Sequence, residues 1–405
     1  VHDDAPWALV FPQEATRDAG STEHLQRAWS GSARPVACRV WRTVGARELW
    51  RRLCASARES AEPGVLFIDR INAQNNLGYL ESLSATNPCG EEPLPPYGAC
   101  DLGSLNLTSF VSGAFTPSAR LDYDALRQTA RLAVRFLDDV IEISRFPLQR
   151  QRLEARRTRR IGLGITGLAD ALAMLALRYG APNAREVAGM IMRSVRDAAY
   201  EASVQLARER GSFERFDAER HCERPFIRAL PETIQAGIRR YGIRNSHLLA
   251  IAPAGTISLL AGNVSSGIEP VFHLEAVRRV LDVDGVPHEF TVTDRAYALW
   301  QALAPDAPPI PDAFLEAEAI APREQLLMQA ELQRLVDGSI SKTITLGREA
   351  TADEVKDVFE DAYRLGLKGC TVFQEGARPG IIEGRAECFL RQPDAHCCVA
   401  DRESD

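Results

Sequence analysis

The 405-residue sequence is short of several things, and each absence excludes a class of protein. No stretch approaches the eighteen or so uninterrupted apolar residues of a membrane span, which argues against an integral membrane protein. Cationic excess is lacking too. Lys and Arg number 48 against 55 Asp and Glu, a formal net charge of −7, so no general nucleic-acid electrostatics is expected. Nine cysteines, an odd count without compact spacing, do not form a secreted disulfide framework. A reducing cytoplasm is the expectation, with any disulfide there catalytic. The start, VHDDAPW, is acidic and polar, unlike a secretory leader. Residue 1 is valine, which reads as a cut chain or an unusual start codon. Internal repeats and low-complexity blocks are also missing.

What is present is ordinary globular composition, 45% hydrophobic and 25% charged, in a chain long enough for one large or two medium domains. Helical spacing marks Glu48–Ser60, Leu121–Ser144, Gly164–Leu177, Asn183–Gly211, Arg323–Asp337 and Thr351–Gly366, the last with Thr351 as N-cap. Strand-like runs are Pro63–Asn72, Cys100–Val111, the start of Ser246–Gly262, and Lys368–Phe373. Helix, glycine turn and strand near the end make an αβ unit. From Arg378 onward there is little apolar periodicity, so a mobile arm is expected. The basic run RRTRR (Arg156–Arg160) reads first as a solvated helix end or turn, and second as a contact for a phosphate-bearing ligand or partner.

Three constellations could carry chemistry. In TNPCGEEPLPPYGAC (Thr86–Cys100), Pro88, Pro93, Pro95 and Pro96 stiffen the loop around Cys89. Asn87 and Glu91 flank that thiol at alternate positions, so extended geometry puts an amide, a thiol and a carboxylate on one side. A buried cysteine in a Pro-rich turn is the bland alternative, and a zinc site the weak one, because Cys89 and Cys100 lack a His–Cys partner pair. In APAGTIS (Ala252–Ser258), a glycine turn before Thr256 and Ser258 points N–H groups and hydroxyls at an anion. It lacks a P-loop lysine, which argues against triphosphate hydrolysis, and a plain strand-to-helix turn fits equally. In the tail, His396 precedes Cys397 and Cys398. A disulfide between adjacent cysteines would be strained and reducible, and unpaired thiols are the alternative.

The segments FIDRINAQNN, ATNPCGEEPLPPYGACDLGSLNL, RRIGLGITGLADALAMLALRYG, APAGTISLLAGNVSSGIEP, SISKTI and LGLKGCTVF, in this order, closely resemble the ribonucleotide reductase catalytic chain. The resemblance runs from about Val10 to about Pro379 and is strongest to the adenosylcobalamin-dependent branch, class II. It implies an α/β fold, the C-terminal portion of a ten-stranded α/β barrel with a central finger loop. Residues 1–85 would end the first half-barrel and 86–110 form the finger and following strand. Residues 111–380 would make the second half-barrel, and 381–405 a flexible cysteine-bearing tail.

The resemblance also implies roles. Cys89 matches the cysteine that becomes a thiyl radical and abstracts the substrate's 3′ hydrogen. Glu91 matches the carboxylate that takes the 3′ hydroxyl proton, and Asn87 the amide that binds the sugar hydroxyls. Cys100 matches one member of the reducing dithiol. The other member would lie on an earlier barrel strand that this chain does not hold, and Cys38 and Cys54 are not in a matching context. Pro253, Ala254, Gly255, Thr256, Ile257 and Ser258 match the substrate phosphate loop, with Ala254 where a hydroxyl is usual. Glu92 stands where glutamine is common, adding charge near an anionic substrate. CTVF (Cys370–Phe373) lacks the tyrosine pair of the oxygen-dependent branch, which favours cobalamin. Cys388, Cys397 and Cys398 are candidates for the thiol shuttle.

The implied activity is reduction of ribonucleoside diphosphates or triphosphates to deoxyribonucleotides for DNA synthesis in the cytoplasm. The implied partners are the ribonucleotide, a thioredoxin-like or glutaredoxin-like reductant and a separate chain carrying the missing region, with no nucleic acid and no membrane. The alternative is a complementing half, inactive alone. A zinc or redox thiol protein is the weaker rival.

Overall fold

A run of neighbouring parallel strands forms the centre of the molecule. The computed structural model describes residues 1–12, 23–27, 32, 34–281, 286–303, 311–375 and 383–384. Strand Asp101–Asn106 pairs in parallel with Ile161–Thr166, Asp101 facing Ile161 and Asn106 facing Thr166. Single parallel bridges extend the run from Leu163 to Leu249 and from Ile251 to Ile340. Strand Thr343–Leu346 continues the last segment and lies parallel to Gly369–Gln374. There Gly369 and Cys370 meet Leu66 and Val65 of an antiparallel edge. Among the described residues the run does not close into a barrel.

Sequence explains much of the packing around this sheet. Every residue of Ile161–Thr166 is buried, as expected for a parallel strand covered on both faces. Helix Tyr123–Ile143 starts where the Asp122 side chain accepts from the Ala125 amide at 2.9 Å. It buries Leu126, Ala130, Val134, Leu137 and Ile141, a helical stripe in which each fully buried Leu, Val or Ile contributes about 1.5–3 kcal/mol. That stripe shares one core with the alanine-rich helix Pro182–Arg210, which begins on Pro182 and stops at Gly211. A second core joins helix Ala46–Ser60 to helix Ala352–Arg364 and the 369–374 strand through Cys54, Ala57, Val355, Val358, Phe359 and Val372. Before it lies an antiparallel sheet in the order Pro6–Pro12, Val36–Gly45, His24–Arg27.

Several expectations change. Only Val65–Leu66 of the Pro63–Asn72 run is strand, and Ile68–Ala73 is helix. The Asn72 side chain holds that turn, donating to the Ile68 carbonyl at 3.0 Å and the Leu83 carbonyl at 2.9 Å. Gly164–Thr166 is strand, not helix; the helix runs Leu168–Met174, after Gly167 turns the chain at φ +70°. Burial on both faces had erased the period that separates the two. The Cys100–Val111 strand ends at Asn106, whose side chain accepts from the Thr108 amide and starts a short 3₁₀ turn, Leu107–Phe110. The helix expected over Arg323–Asp337 is Pro322–Gln333. The Arg156–Arg160 run closes helix Gln149–Thr158 as expected, with Arg156 and Arg157 part-exposed in its last turn, but its end is buried rather than solvated. Arg159 pairs with Asp138 at 2.8 Å, Arg157 with Glu214 at 3.1 Å, and Arg160 is buried against Glu81.

Candidate active site

The finger loop is a hairpin. Ala85–Thr86 pairs antiparallel with Pro93–Leu94, and a turn at its tip carries the amide of Gly90 onto the carbonyl of Asn87 at 3.2 Å. Gly90 takes φ +83°, which the turn requires and which side chains rarely adopt. The tip is therefore turned rather than extended, so strict alternation does not place the three side chains. The turn itself does. The Asn87 Oδ1 accepts from the Glu92 amide at 3.0 Å, which sets its side chain beside the Glu91 carboxyl. Cys89 is exposed at the tip, while Glu91 is 3% exposed beneath it.

Electrostatics follow from this placement. Burial raises the Glu91 carboxyl above its ordinary range, against the lowering effects of its own backbone amide and then of the nearby Asn87 side chain. Its Oε2 has no partner. A carboxylate of raised basicity with one free oxygen is what a general base needs. The Cys89 thiol is raised by partial burial and then by the Glu91 charge, so it rests as a thiol.

The hairpin docks on the sheet through one bond, the Ser339 amide donating to the Glu91 carbonyl at 2.8 Å. Ser339 also accepts from the Ile251 amide at 3.1 Å, on the strand that runs into the Ala252–Ser258 loop. Glu91 and that loop thus share one strand neighbour. In the loop, Gly255, Thr256 and Ile257 are exposed and open the short helix Gly255–Leu260, whose first amides have no carbonyl within the helix. Pro253 accepts from the Ser266 hydroxyl. Ala254 is buried, and the Ser258 hydroxyl is turned inward onto the Gly255 carbonyl at 2.8 Å. The donors this loop exposes are the backbone amides and Thr256, not Ser258. A cavity of about 280 Å³ adjoins the loop, lined by Pro253, Gly255, Ser258, Ser266, Glu269 and Thr343 among others.

Cys100 begins the strand beside the finger. Two glycines make space at this point. A Cβ on Gly162 would lie 3.4 Å from Cys100 Sγ and 2.9 Å from Ala250 Cβ. One on Gly338 would lie 2.9 Å from Glu92 Oε2 and 3.4 Å from Ala250 Cβ. The thiol and the Glu92 carboxyl therefore both lie in the neighbourhood of Ala250, beside Leu102 and the Leu249 carbonyl. Burial and then the Glu92 charge push the Cys100 thiol well up. Cys38 and Cys54 are buried in the N-terminal sheet and the second core, and all six described cysteines are free. Cys388, Cys397 and Cys398 lie outside the described residues. Among the described residues no three His, Cys, Asp or Glu side chains gather as a metal cluster, and no helix is long and apolar enough to cross a membrane.

A polar framework under the site escaped the reading of the sequence. Asp337 accepts from the Tyr200 hydroxyl at 2.6 Å and from the amides of Leu248 and Leu249 at 2.9 and 2.7 Å. Lys368 donates to the carbonyls of Asp337 and Gly338 at 2.7 and 2.6 Å. Lys342 is buried in a 2.5 Å ion pair with Glu269. The available signal was a lysine inside an apolar run, in SISKTI and LKGCTVF, since a buried lysine demands a partner.

Comparison with known proteins gives this arrangement its relatives. Residues 1–373 match the family model described as "Ribonucleotide reductase, barrel domain". A vitamin B12-dependent ribonucleoside-diphosphate reductase of Mycobacterium tuberculosis (strain CDC 1551 / Oshkosh) is 38% identical over 354 residues, covering 83% of this chain and 48% of that protein. One from Thermoplasma acidophilum is 35% identical over 376 residues, covering 89% and 46%. A ribonucleoside-diphosphate reductase subunit alpha of Chlamydia pneumoniae is 26% identical over 373 residues, covering 82% and 35%. The chain thus spans less than half the length of these relatives. It belongs to the ribonucleotide reductase barrel-domain family.

Proposed function

We propose that this chain supplies the radical-cysteine loop and the adjoining half of the barrel in a cobalamin-dependent ribonucleotide reductase that makes deoxyribonucleotides from ribonucleoside diphosphates or triphosphates. The observation that carries the reading is the finger itself, with an exposed Cys89 above a buried Glu91 and the Asn87 side chain beside it. With substrate bound, Cys89 as a thiyl takes the 3′ hydrogen while Glu91 receives the 3′ hydroxyl proton through its free oxygen. Asn87 holds the sugar hydroxyls, and the amides of Gly255, Thr256 and Ile257 hold the phosphates. The 2′ hydroxyl leaves as water, and two electrons come from a dithiol of which Cys100 is one member and which ends as a disulfide. A thioredoxin-like or glutaredoxin-like reductant restores it, through Cys388, Cys397 or Cys398.

The relatives' names imply cobalamin. Cys89 fits that group, because its exposed thiol can be approached from outside; no described residue is assigned to holding the corrin ring. Adenosylcobalamin, when bound, supplies the radical that oxidises the Cys89 thiol.

A second reading, a half that works only when joined to a polypeptide bearing the second thiol, is favoured by the cysteines: among the described residues none pairs with Cys100. The test is turnover with adenosylcobalamin, a small dithiol and ribonucleotide. The 405-residue chain alone is expected to form no deoxyribonucleotide beyond background. Addition of the remaining N-terminal region from a relative should restore it, and Cys89→Ser should abolish it again. Product from the Cys89→Ser assembly would remove Cys89 from the radical role.

A further inference from the structure

Glu92 is the one acid of the finger that the proposed chemistry leaves without a task, and its surroundings are unusual for a glutamate. It is 1% exposed, and neither carboxyl oxygen has a hydrogen-bond partner. The terminal nitrogens of Arg160 are on Glu81, and its Nε, which has no partner, faces Glu92 Oε1 only at 4.0 Å, too far for a hydrogen bond. Lys368 is spent on the Asp337 and Gly338 carbonyls. Charges facing this pocket come from every wall. Glu91 and Cys100 lie on the finger side, Arg160 with Glu81 behind it at the 161–166 strand, Asp337 in the turn before Ser339, and Lys368 before the 369–374 strand. His247 stands near Arg160 and Lys368, and burial keeps it neutral. The two cations are already balanced by Glu81 and Asp337. An ionised Glu92 would be a third buried anion with no hydrogen bond to support it.

We infer that Glu92 is the proton-holding residue of this site: it rests as a neutral carboxylic acid beside Cys100, and when it gives up its proton its charge holds Cys100 as a thiol. The geometry joins the two: a Cβ on Gly162 would lie 3.4 Å from Cys100 Sγ and one on Gly338 2.9 Å from Glu92 Oε2, and both positions lie within 3.4 Å of Ala250 Cβ. A proton on Glu92 also removes the negative charge that would otherwise face an anionic substrate. Burial pushes the Glu92 carboxyl up to about 8, so it ionises at the edge of the physiological range. Once ionised, it disfavours a thiolate at Cys100, and the sulfur stays a proton and hydrogen donor rather than a nucleophile. Glu92 is thus a positioning residue acting through Cys100. Its importance to turnover rests on the function proposed above, but its titration does not.

The experiment uses the 405-residue chain without substrate or cofactor. Carboxyl-labelled glutamate followed by carbon NMR from about pH 5 to about pH 9 should show one resonance titrating far above the exposed glutamates. Glu92→Gln should delete that resonance. Alkylation with iodoacetamide, resolved by peptide mass spectrometry, should give Cys100 roughly tenfold faster modification in Glu92→Gln at about pH 9, with Cys222 unchanged. Circular dichroism confirms that the variant is folded, and the native-chain titration stands even if it is not. A Glu92 resonance that titrates with the exposed glutamates overturns the inference, and so does a Cys100 rate that Glu92→Gln leaves unchanged. Either result leaves the Cys89 turnover test untouched.

Discussion

His221 offers the sharpest test of how burial governs this protein. Its ring is fully buried, with centroids 5.8 Å from Phe213 and 5.4 Å from Phe216. Burial, helped by the Arg224 charge, lowers its pKa to about 4. An unfolded chain would protonate this histidine below about pH 6.5, while the native chain keeps it neutral. The sign is therefore fixed: above that range His221 has no effect, and below it the unfolded state gains a proton that the native state refuses. At about pH 5 the unfolded state is favoured by RT ln 30 or so, about 2 kcal/mol, against less than about 0.2 kcal/mol at about pH 7. His221→Phe keeps a flat aromatic between the two rings and removes the titration. Urea unfolding of the full chain, followed by tryptophan fluorescence at both pH values, measures the difference. The loss of stability on acidification should be about 2 kcal/mol smaller in the variant. His247, whose pKa is also lowered by burial, remains in both chains and cancels. Equal losses in the two proteins would refute the argument.

Two further outcomes follow from buried charge. Lys342→Met leaves Glu269 buried beside the Thr343 amide that it accepts at 2.8 Å, and should cost about 3–5 kcal/mol in urea unfolding. Lys342→Met with Glu269→Gln should recover more than half of that, and an equal loss in the double variant would show that the charge is not the cause. Asp294 and Asp170 are a buried carboxyl pair, and burial with the Asp170 charge pushes Asp294 up to about 8, so the pair is expected to share one proton. An unfolded Asp294 ionises near pH 4, so the native protein loses stability as pH rises from there towards 8. Asp294→Asn keeps an acceptor for the Tyr297 amide and should gain on the native chain by on the order of 1–3 kcal/mol across that window. Parallel stability curves would rule the shared proton out.

Legibility in the sequence divided along the range of the interactions. Helices with local signals were readable, because Asp122 and Thr351 cap within three residues and the apolar period is a neighbour effect. The Thr351–Glu354 capping box is contained in four letters. Strand Ile161–Thr166 was only partly readable, since burial on both faces erases alternation. The finger was readable as a motif, with Asn87, Cys89 and Glu91 adjacent in the chain. Their burial was not. Whether Glu92 is ionised depends on Arg160, Asp337 and Lys368, none of which is near it in sequence. Nor does Gly338 announce that its missing Cβ leaves room beside the Glu92 carboxyl.

That division bears on how the site is held. The finger hairpin has only two residues in each strand, too short to be stable alone. Its precision is borrowed. The Ser339 amide grips the Glu91 carbonyl, and two residues earlier Asp337 ties Tyr200, Leu248 and Leu249 into one buried knot. Lys368 closes the same knot from the next strand. Leu248 and Leu249 begin the segment that ends in the Ala252–Ser258 loop, so the carboxylate of the finger and the candidate anion loop are registered against a common set of bonds. A radical thiol must be aimed at one hydrogen, and an error of about 1 Å in such a site costs on the order of a hundredfold in rate. A flexible loop cannot supply that accuracy, whereas a hairpin referenced to the same strand as the substrate's phosphates can. On the function proposed above, the buried Asp337 network would serve the chemistry as well as the fold, through the position it gives the finger and the loop.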